Sequence, residues 1–333
     1  MLFILVSPTT VSNVIHGKTN EVSQATIAKV KQIVIKSNYI PNMTARNLAS
    51  NKTHIIGVIL CYEKDIGAQS LADPFNSELI GSIASAIEEH RFYMMLHITN
   101  DENEAIQLAL SWNVDGLIVC SSRKKEWSRI SEETQKPVVF IDSYFGKRYG
   151  DYPNIGLNDR NGGYKITSYL IEHGHRKIAY SSDNLISVDY ERFQGYKSAL
   201  RQHEIHYQQD WYIPFLPFSR EKVFENIMSL RGKFTAVFFA SDYYASLAIN
   251  YFQDHGLTIP DDISVVGFDD NISGKTVRPA LTTIHQDPSQ KGKMAVSLLM
   301  SIMDGMPPLK CNIRLPVKLV ERESVKMLEP DNK

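Results

Sequence analysis

Long hydrophobic runs are missing. No stretch of the 333 residues approaches the roughly 18 consecutive apolar positions that a membrane-crossing helix needs. The opening MLFIL has neither the basic lead nor the length of a secretory signal, so the expected place of action is the cytoplasm, with no membrane partner. Cysteine is scarce. Cys61, Cys120 and Cys311 stand far apart, which excludes an even disulfide set and the C-x-x-C spacing of a zinc site. Two of them lie in apolar runs and read as plain core thiols. Low-complexity tracts and repeats of roughly 20–50 residues are also absent, which argues against a disordered chain and against a solenoid.

What remains is the composition of a soluble globular protein, 43% hydrophobic and 22% charged. The length suggests two or three domains of about 100 to 150 residues. Formal net charge is only -1, but it is unevenly spread. Residues 1–54 hold Lys18, Lys29, Lys31, Lys36, Arg46 and Lys52 against Glu21 alone, which leaves the remainder acidic. A small basic segment joined to a large acidic one points to a polyanion met by the first part only; a solvated basic face is the bland alternative.

The basic segment reads as helical. Ser7 suits an N-cap and Pro8 the first helical position, so a helix is expected from 8 to about Gly17. Val11, Val14 and Ile15 form its apolar face, and Thr9, Ser12, Asn13 and His16 its polar stripe. Ser23 caps a second helix that turns Ile27, Val30 and Val34 inward and stops near Asn38. After Pro41, Asn42 opens MTARNLAS, which is too short to be stable alone because helix nucleation is costly.

From His54 the texture changes. IIGVIL, RFYMMLHI, GLIVC, PVVFID, KIAYSS, TAVFFA and ISVVGF alternate with amphipathic segments or turn-rich loops. Such continuous apolar runs predict strands buried on both faces, hence α/β architecture with parallel sheets and right-handed crossovers. The number of runs calls for two units of similar size meeting at a cleft. Near the end, Asp287, Pro288 and Gln290 open a helix that Gly305 closes.

These segments resemble the LacI/GalR family of transcriptional regulators. VSPTTVSNVI is similar to its recognition helix, IPNMTARNLASNKTHIIGV to its hinge and first strand, and DPFNSELIGSI to the loop entering the first core helix. VDGLIV, PVVFID, LIEHGHRKIAY, ERFQGY, TAVFFASD, GLTIPDDISVVGFDD, RPALTTIHQ and LPVKLVERES follow in the family's order, so the resemblance spans about residues 6 to 325. It implies a helical DNA-binding headpiece followed by two doubly wound parallel-sheet subdomains of the periplasmic-binding-protein type. The divisions expected are 1–40 for the headpiece, 41–53 for the hinge, 54–156 with 286–315 for one subdomain, and 157–285 with 316–333 for the other.

By the same resemblance, Pro8, Thr9 and Asn13 meet base edges, the Asn13 amide suiting adenine, while Thr10 and Ser12 meet phosphates. Leu48, flanked by Ala45 and Asn47, becomes a minor-groove wedge. Arg192 and Asp269 become a donor fork and an acceptor pair for a small molecule, with Phe75, Phe218, Asp142, Ser241 and Gln286 around them. The implied partners are double-stranded operator DNA, a second copy of the chain, and an effector that is a sugar, a sugar derivative or a purine; no cofactor or metal is implied. Blander readings stand beside these: a capped surface helix, a linker with a spare leucine, an Arg192–Asp269 ion pair that merely bridges elements, and Phe75 and Phe218 as ordinary core.

Departures matter too. Ser241-Asp242 replaces the family's usual Asn-Asp, and the loop CYEKDIGAQSLA is long. No leucine heptad follows ERES, so a dimer is expected rather than a coiled-coil tetramer. The family's first headpiece helix has only MLFIL in its place, which predicts a loosened headpiece and raises the alternative of a degenerate regulator or a solute-binding protein that no longer reads DNA. Catalysis is not expected. Adjacent carboxylates such as Asp269-Asp270 point apart, and His173, His175 and His285 lack metal-ligand spacing. Gly162-Gly163 lacks a G-x-G-x-x-G pattern, and no nucleophile elbow or P-loop appears.

Overall fold

The computed structural model describes residues 6–15, 19–20, 22–37, 52–62, 70–121, 129–146, 151–215 and 217–329. The chain separates into two compact units, residues 1–53 and 54–333.

In the first unit, helix α1 spans Pro8–Ile15 and α2 spans Gln24–Lys36. Ser7 caps α1, its Oγ accepting from the Thr10 amide at 3.1 Å, and Ser23 caps α2 by accepting from the Thr26 amide. Val14, Ile27 and Val30 form a small buried cluster to which Val6, Val11, Val22 and Val34 add partial cover. The predicted apolar faces are thus the ones that meet, although Val11 and Ile15 stay half-buried. Ala45, Asn47 and Leu48, like His16, lie outside the described residues.

The second unit is built on two parallel sheets. Strands β1 (Ile55–Leu60), β2 (Tyr93–Ile98), β3 (Gly116–Cys120), β4 (Val138–Ile141), β5 (Asn154–Leu157) and β11 (Asn312–Leu315) form the first, in the order β11-β5-β4-β3-β1-β2. Strands β6 (Ile178–Ser182), β7 (Tyr212–Pro214), β8 (Ala236–Phe239) and β9 (Ser264–Val266) form the second, in the order β7-β6-β8-β9. A short antiparallel pair joins β10 (Thr283–His285) to β12 (Lys318–Val320). The helices between are α3 (Pro74–Glu89), α4 (Glu102–Ser111), α5 (Ile130–Thr134), α6 (Asp159–Glu172), α7 (Ser187–Gln202), α8 (Arg220–Ser229), α9 (Asp242–Asp254), α10 (Ile272–Thr276) and α11 (Pro288–Met303).

Central strands are buried on both faces, as their unbroken apolar runs predict, because helices cover each side. Strand β2 departs from that expectation. It is the sheet's edge, its residues are half-buried, and Tyr93 is 64% exposed. Helix α3 starts at the Asp73 cap with Pro74 in its first turn, and Leu79, Ile83 and Ile87 make its buried stripe. It packs against α11, which Asp287 caps by accepting from the Gln290 amide at 2.7 Å. Among the described residues no helix is long and apolar enough to cross a membrane.

Candidate functional site

Parallel strands deliver their carboxyl ends to one side of a sheet, and in the second unit those ends carry the polar residues. Asp142 follows β4, Asp159 follows β5, Ser241 follows β8, Asp269 follows β9 and Gln286 follows β10. Asp142, Ser241, Asp269 and Gln286, together with Arg192 on α7 and the start of α3, line a cleft partly open to solvent, and Asp159 lies behind Arg192. Its place at strand carboxyl ends is where open α/β sheets bind ligands.

A single buried polar chain runs along the cleft. Lys291 Nζ donates to Asp142 Oδ2 at 2.6 Å and to Gln286 Oε1 at 2.9 Å. Gln286 Nε2 donates to Asp269 Oδ1 at 2.6 Å, and Arg192 Nη1 stands 3.9 Å from that same oxygen. Arg192 Nε donates to Asp159 Oδ1 at 2.9 Å, and Tyr144 Oη donates to Asp159 Oδ2 at 2.7 Å. Arg192 Nη1 also donates to the Ala240 carbonyl at 2.6 Å, and its guanidinium lies 3.7 Å above the Phe268 ring. The close partner of Arg192 is therefore Asp159, with Asp269 at longer range.

Electrostatics follow from burial. Desolvation raises the Asp269 carboxyl to about 7, against the pull of Arg192, and raises Asp73 to about 6. It raises Asp142 as well, partly offset by Lys291. Burial opposes the charge of Arg192, but Asp159, Asp269 and Asp189 outweigh it and the guanidinium's proton is held more tightly than usual. Asp142 Oδ1 is buried with no hydrogen-bond partner among the described residues. The backbone is constrained here too. Ser121, Asp142, Ser187 and Asp269 all line the cleft at positive φ, of 58°, 53°, 51° and 132°. Non-glycine residues hold such angles at a cost of about 1–3 kcal/mol each, and they gather at binding sites.

Of the residues singled out by sequence, Phe75, Asp142, Arg192, Ser241, Asp269 and Gln286 all line this cleft. Ser241 Oγ also caps α9 by accepting from the Tyr243 amide, which leaves its hydroxyl hydrogen for the cleft. Phe218 is not brought to it. It sits in the turn Pro217–Ser219 and is 61% exposed, while Tyr62 and Tyr244 line the cleft beside Phe75. Lys291 escaped notice, though a signal existed: it falls on the buried stripe of α11 with Pro288, Ala295 and Leu299. The residues that invited a catalytic reading are tied up locally. Asp270 pairs with Arg322 and His285, and His175 bonds Thr235 and the Lys326 carbonyl.

In the first unit, Pro8, Thr9 and Ser12 are exposed along α1, and Thr10 and Asn13 are half-buried. Thr10 Oγ1 is engaged with Ser7 Oγ at 2.9 Å. Lys29, Lys31 and Lys36 are exposed on α2.

Residues 5–42 match the model of bacterial regulatory proteins of the lacI family, and residues 167–325 match that of the periplasmic binding protein-like domain. The repressor PurR of Edwardsiella ictaluri (strain 93-146) is 34% identical over 328 residues, covering 96% of this chain and 94% of that protein. The chain belongs to the lacI family of bacterial regulatory proteins. It is a DNA-binding transcriptional regulator. Among solved structures of this family, the lac repressor dimer bound to operator and the anti-inducer ONPF superposes with a TM-score of 0.80 at 27% identity over 96% of each chain. The complex of the regulator CelR with cellobiose gives 0.74 at 26% identity, again over 96% of each. These lacI-family relatives are regulators rather than enzymes.

Proposed function

We propose that this protein is a repressor whose effector binds between the two parallel sheets and controls the grip of two neighbouring copies on operator DNA. The observation that carries the reading is the convergence of Asp142, Arg192, Asp269 and Gln286, from four separate segments, on one cleft. Arg192 offers a planar donor fork, and Asp269 with the unpartnered Asp142 Oδ1 offers acceptors, a pattern that suits vicinal hydroxyls or a planar polar ring. A sugar or sugar derivative is the effector class favoured, in keeping with the cellobiose-bound relative, and a purine is the second.

Pro8, Thr9 and Asn13 would meet bases in the major groove, with Thr10 and Ser12 on phosphates; Ala45, Asn47 and Leu48 would enter the minor groove from the hinge. The cleft divides residues 54–156 and 286–315 from residues 157–285 and 316–333, so a ligand held by Asp142 on one side and Arg192 on the other changes how the two parts close. That change alters the stability of the paired hinge segments on DNA. The protein acts in the cytoplasm as a homodimer.

Reciprocity supplies the test. If effector and operator are coupled, each changes the other's affinity by the same factor. Fluorescence anisotropy on promoter fragments selected for tight binding, with and without a bound sugar, is expected to show a sequence preference and a ligand-dependent shift. Equal affinity for selected and random duplexes would sink the reading.

A further inference from the structure

Helices α6 and α7 touch more closely than side chains normally allow. A Cβ at Gly163 would lie 2.1 Å from the Arg192 carbonyl oxygen, and one at Gly195 would lie 2.1 Å from the Arg160 carbonyl oxygen. Gly163, in a Gly-Gly pair that fits no nucleotide fingerprint, and the glycine of ERFQGY therefore serve a backbone-to-backbone crossing, while Gly162 makes room for the Phe268 ring. One result lies away from the cleft. The crossing holds Arg160, in the first turn of α6, beside the stripe of α7 that carries Lys197 and Arg201.

After α7 the chain reverses at Glu204, whose φ is 58°. The Ile205 amide donates to the Leu200 carbonyl and the Glu204 amide to the Arg201 carbonyl, a closed helix end. This folds His206 and Tyr207 back along the helices. Arg160, Lys197, Arg201, Glu204, His206 and Tyr207 then line a groove of about 360 Å³, partly open to solvent. Lys197 Nζ sits 4.7 Å from the Phe193 ring centre and 6.0 Å from that of Tyr207.

The groove gathers cations. Elsewhere around the second sheet, some surface cations sit against carboxylates: Arg231 on Asp262, Lys233 on Asp210, Lys326 on Asp261. Arg160, Lys197 and Arg201 make no ion pair among the described residues. Lys197 and Arg201 stand four residues apart on one helix, where like charges oppose folding. Three cations gathered in a concave site with one carboxylate, on an otherwise acidic body, form a local positive field that attracts anions.

We infer that this groove is a second ligand site, separate from the cleft, which takes a small phosphorylated molecule. Arg160 and Arg201 supply the planar forks that grip phosphate oxygens, Lys197 adds a point charge, and Tyr207 provides a ring wall for the rest of the ligand. The concave shape favours a small dianion over an extended partner.

The test is isothermal titration of the full-length protein with inorganic pyrophosphate and with glucose 6-phosphate, repeated on the Arg160→Glu/Arg201→Glu variant. Both side chains are exposed, so the variant is expected to melt with the parent; the milder Arg201→Gln variant covers the case in which it does not. Saturable binding that weakens at least tenfold in the double variant, falls partway in Arg201→Gln and survives Asp269→Asn would support the site. It is overturned if neither probe binds, if binding outlasts the charge reversal, or if Asp269→Asn abolishes it. A poly-glutamate peptide that binds where both phosphates fail would overturn the small-molecule assignment in favour of an acidic protein partner.

Discussion

Lys291 Nζ lies 2.6 Å from Asp142 Oδ2, and the lysine side chain is entirely shielded from water. A buried pair is weak support for stability by itself, since desolvation offsets much of the attraction, but leaving one member alone is costly. Lys291 also fixes Gln286, so it orients two groups of the cleft from a helix that does not itself line it. Replacing Lys291 by Met is expected to lower stability by about 3–5 kcal/mol in urea unfolding, and Lys291→Met with Asp142→Asn to recover a good part of it. Additive losses in the double variant would show that the two residues do not depend on each other.

Asp269 makes stability depend on pH in a definite direction. Its ordinary carboxyl value is 3.8, and burial lifts it to about 7 in the folded chain. Between those values the unfolded chain has lost a proton that the folded chain keeps, so stability falls as pH rises through the window. Asp269→Asn removes this dependence. The variant is therefore expected to gain on the parent by roughly 2–4 kcal/mol between pH 4 and pH 7.5. Asp73, raised to about 6, adds a slope of the same sign, and His175, lowered to about 4 by burial, adds the opposite one; both remain in the two proteins and cancel from the difference. Urea midpoints at three pH values measure it, and parallel profiles would contradict it.

Glu204 ends helix α7 in a left-handed conformation, with φ at 58°. A side chain there carries a steric cost that glycine avoids. Glu204→Gly is expected to raise the unfolding free energy by about 0.5–1 kcal/mol. A loss of stability would mean that the glutamate side chain holds something more than the turn.

The headpiece cluster is small. Val14, Ile27 and Val30 are its only buried apolar side chains among the described residues, and burial is worth roughly 1.5–3 kcal/mol for each. Amide exchange in the free protein is expected to be fast across residues 8–36 and slow in strands β1, β3 and β8. Binding to a selected operator should slow it. In the same complex Asn13→Ala is expected to weaken binding by about 1–3 kcal/mol and to relax preference at one base position. Uniform weakening on all sequences would place Asn13 on the phosphate backbone instead.

Local pattern was enough for much of this molecule. Apolar runs such as IIGVIL and TAVFFA predict buried parallel strands, and Ser23, Asp287 and Pro288 mark helix starts, because capping and side-chain periodicity act within a few residues. Short strands without a continuous apolar run were not legible. Strand β5, NIGL, and strands β7, β10, β11 and β12 have only three or four residues each, and only pairing with distant segments identifies them. The motifs ERFQGY and GFDD mark Arg192 and Asp269 as polar groups of interest, and the fold brings both to the cleft.

Which partner each charge finds was a matter for the tertiary structure. Asp159 lies 33 residues from Arg192 and Asp142 lies 149 from Lys291, and nothing in the intervening chain records that they meet in a dry interior. Residue type and spacing determine the elements because those forces are short-ranged and repeat along the backbone. The polar network is decided by packing, since a buried charge takes whichever counter-charge the crossing of helices and the ends of strands place within hydrogen-bond reach.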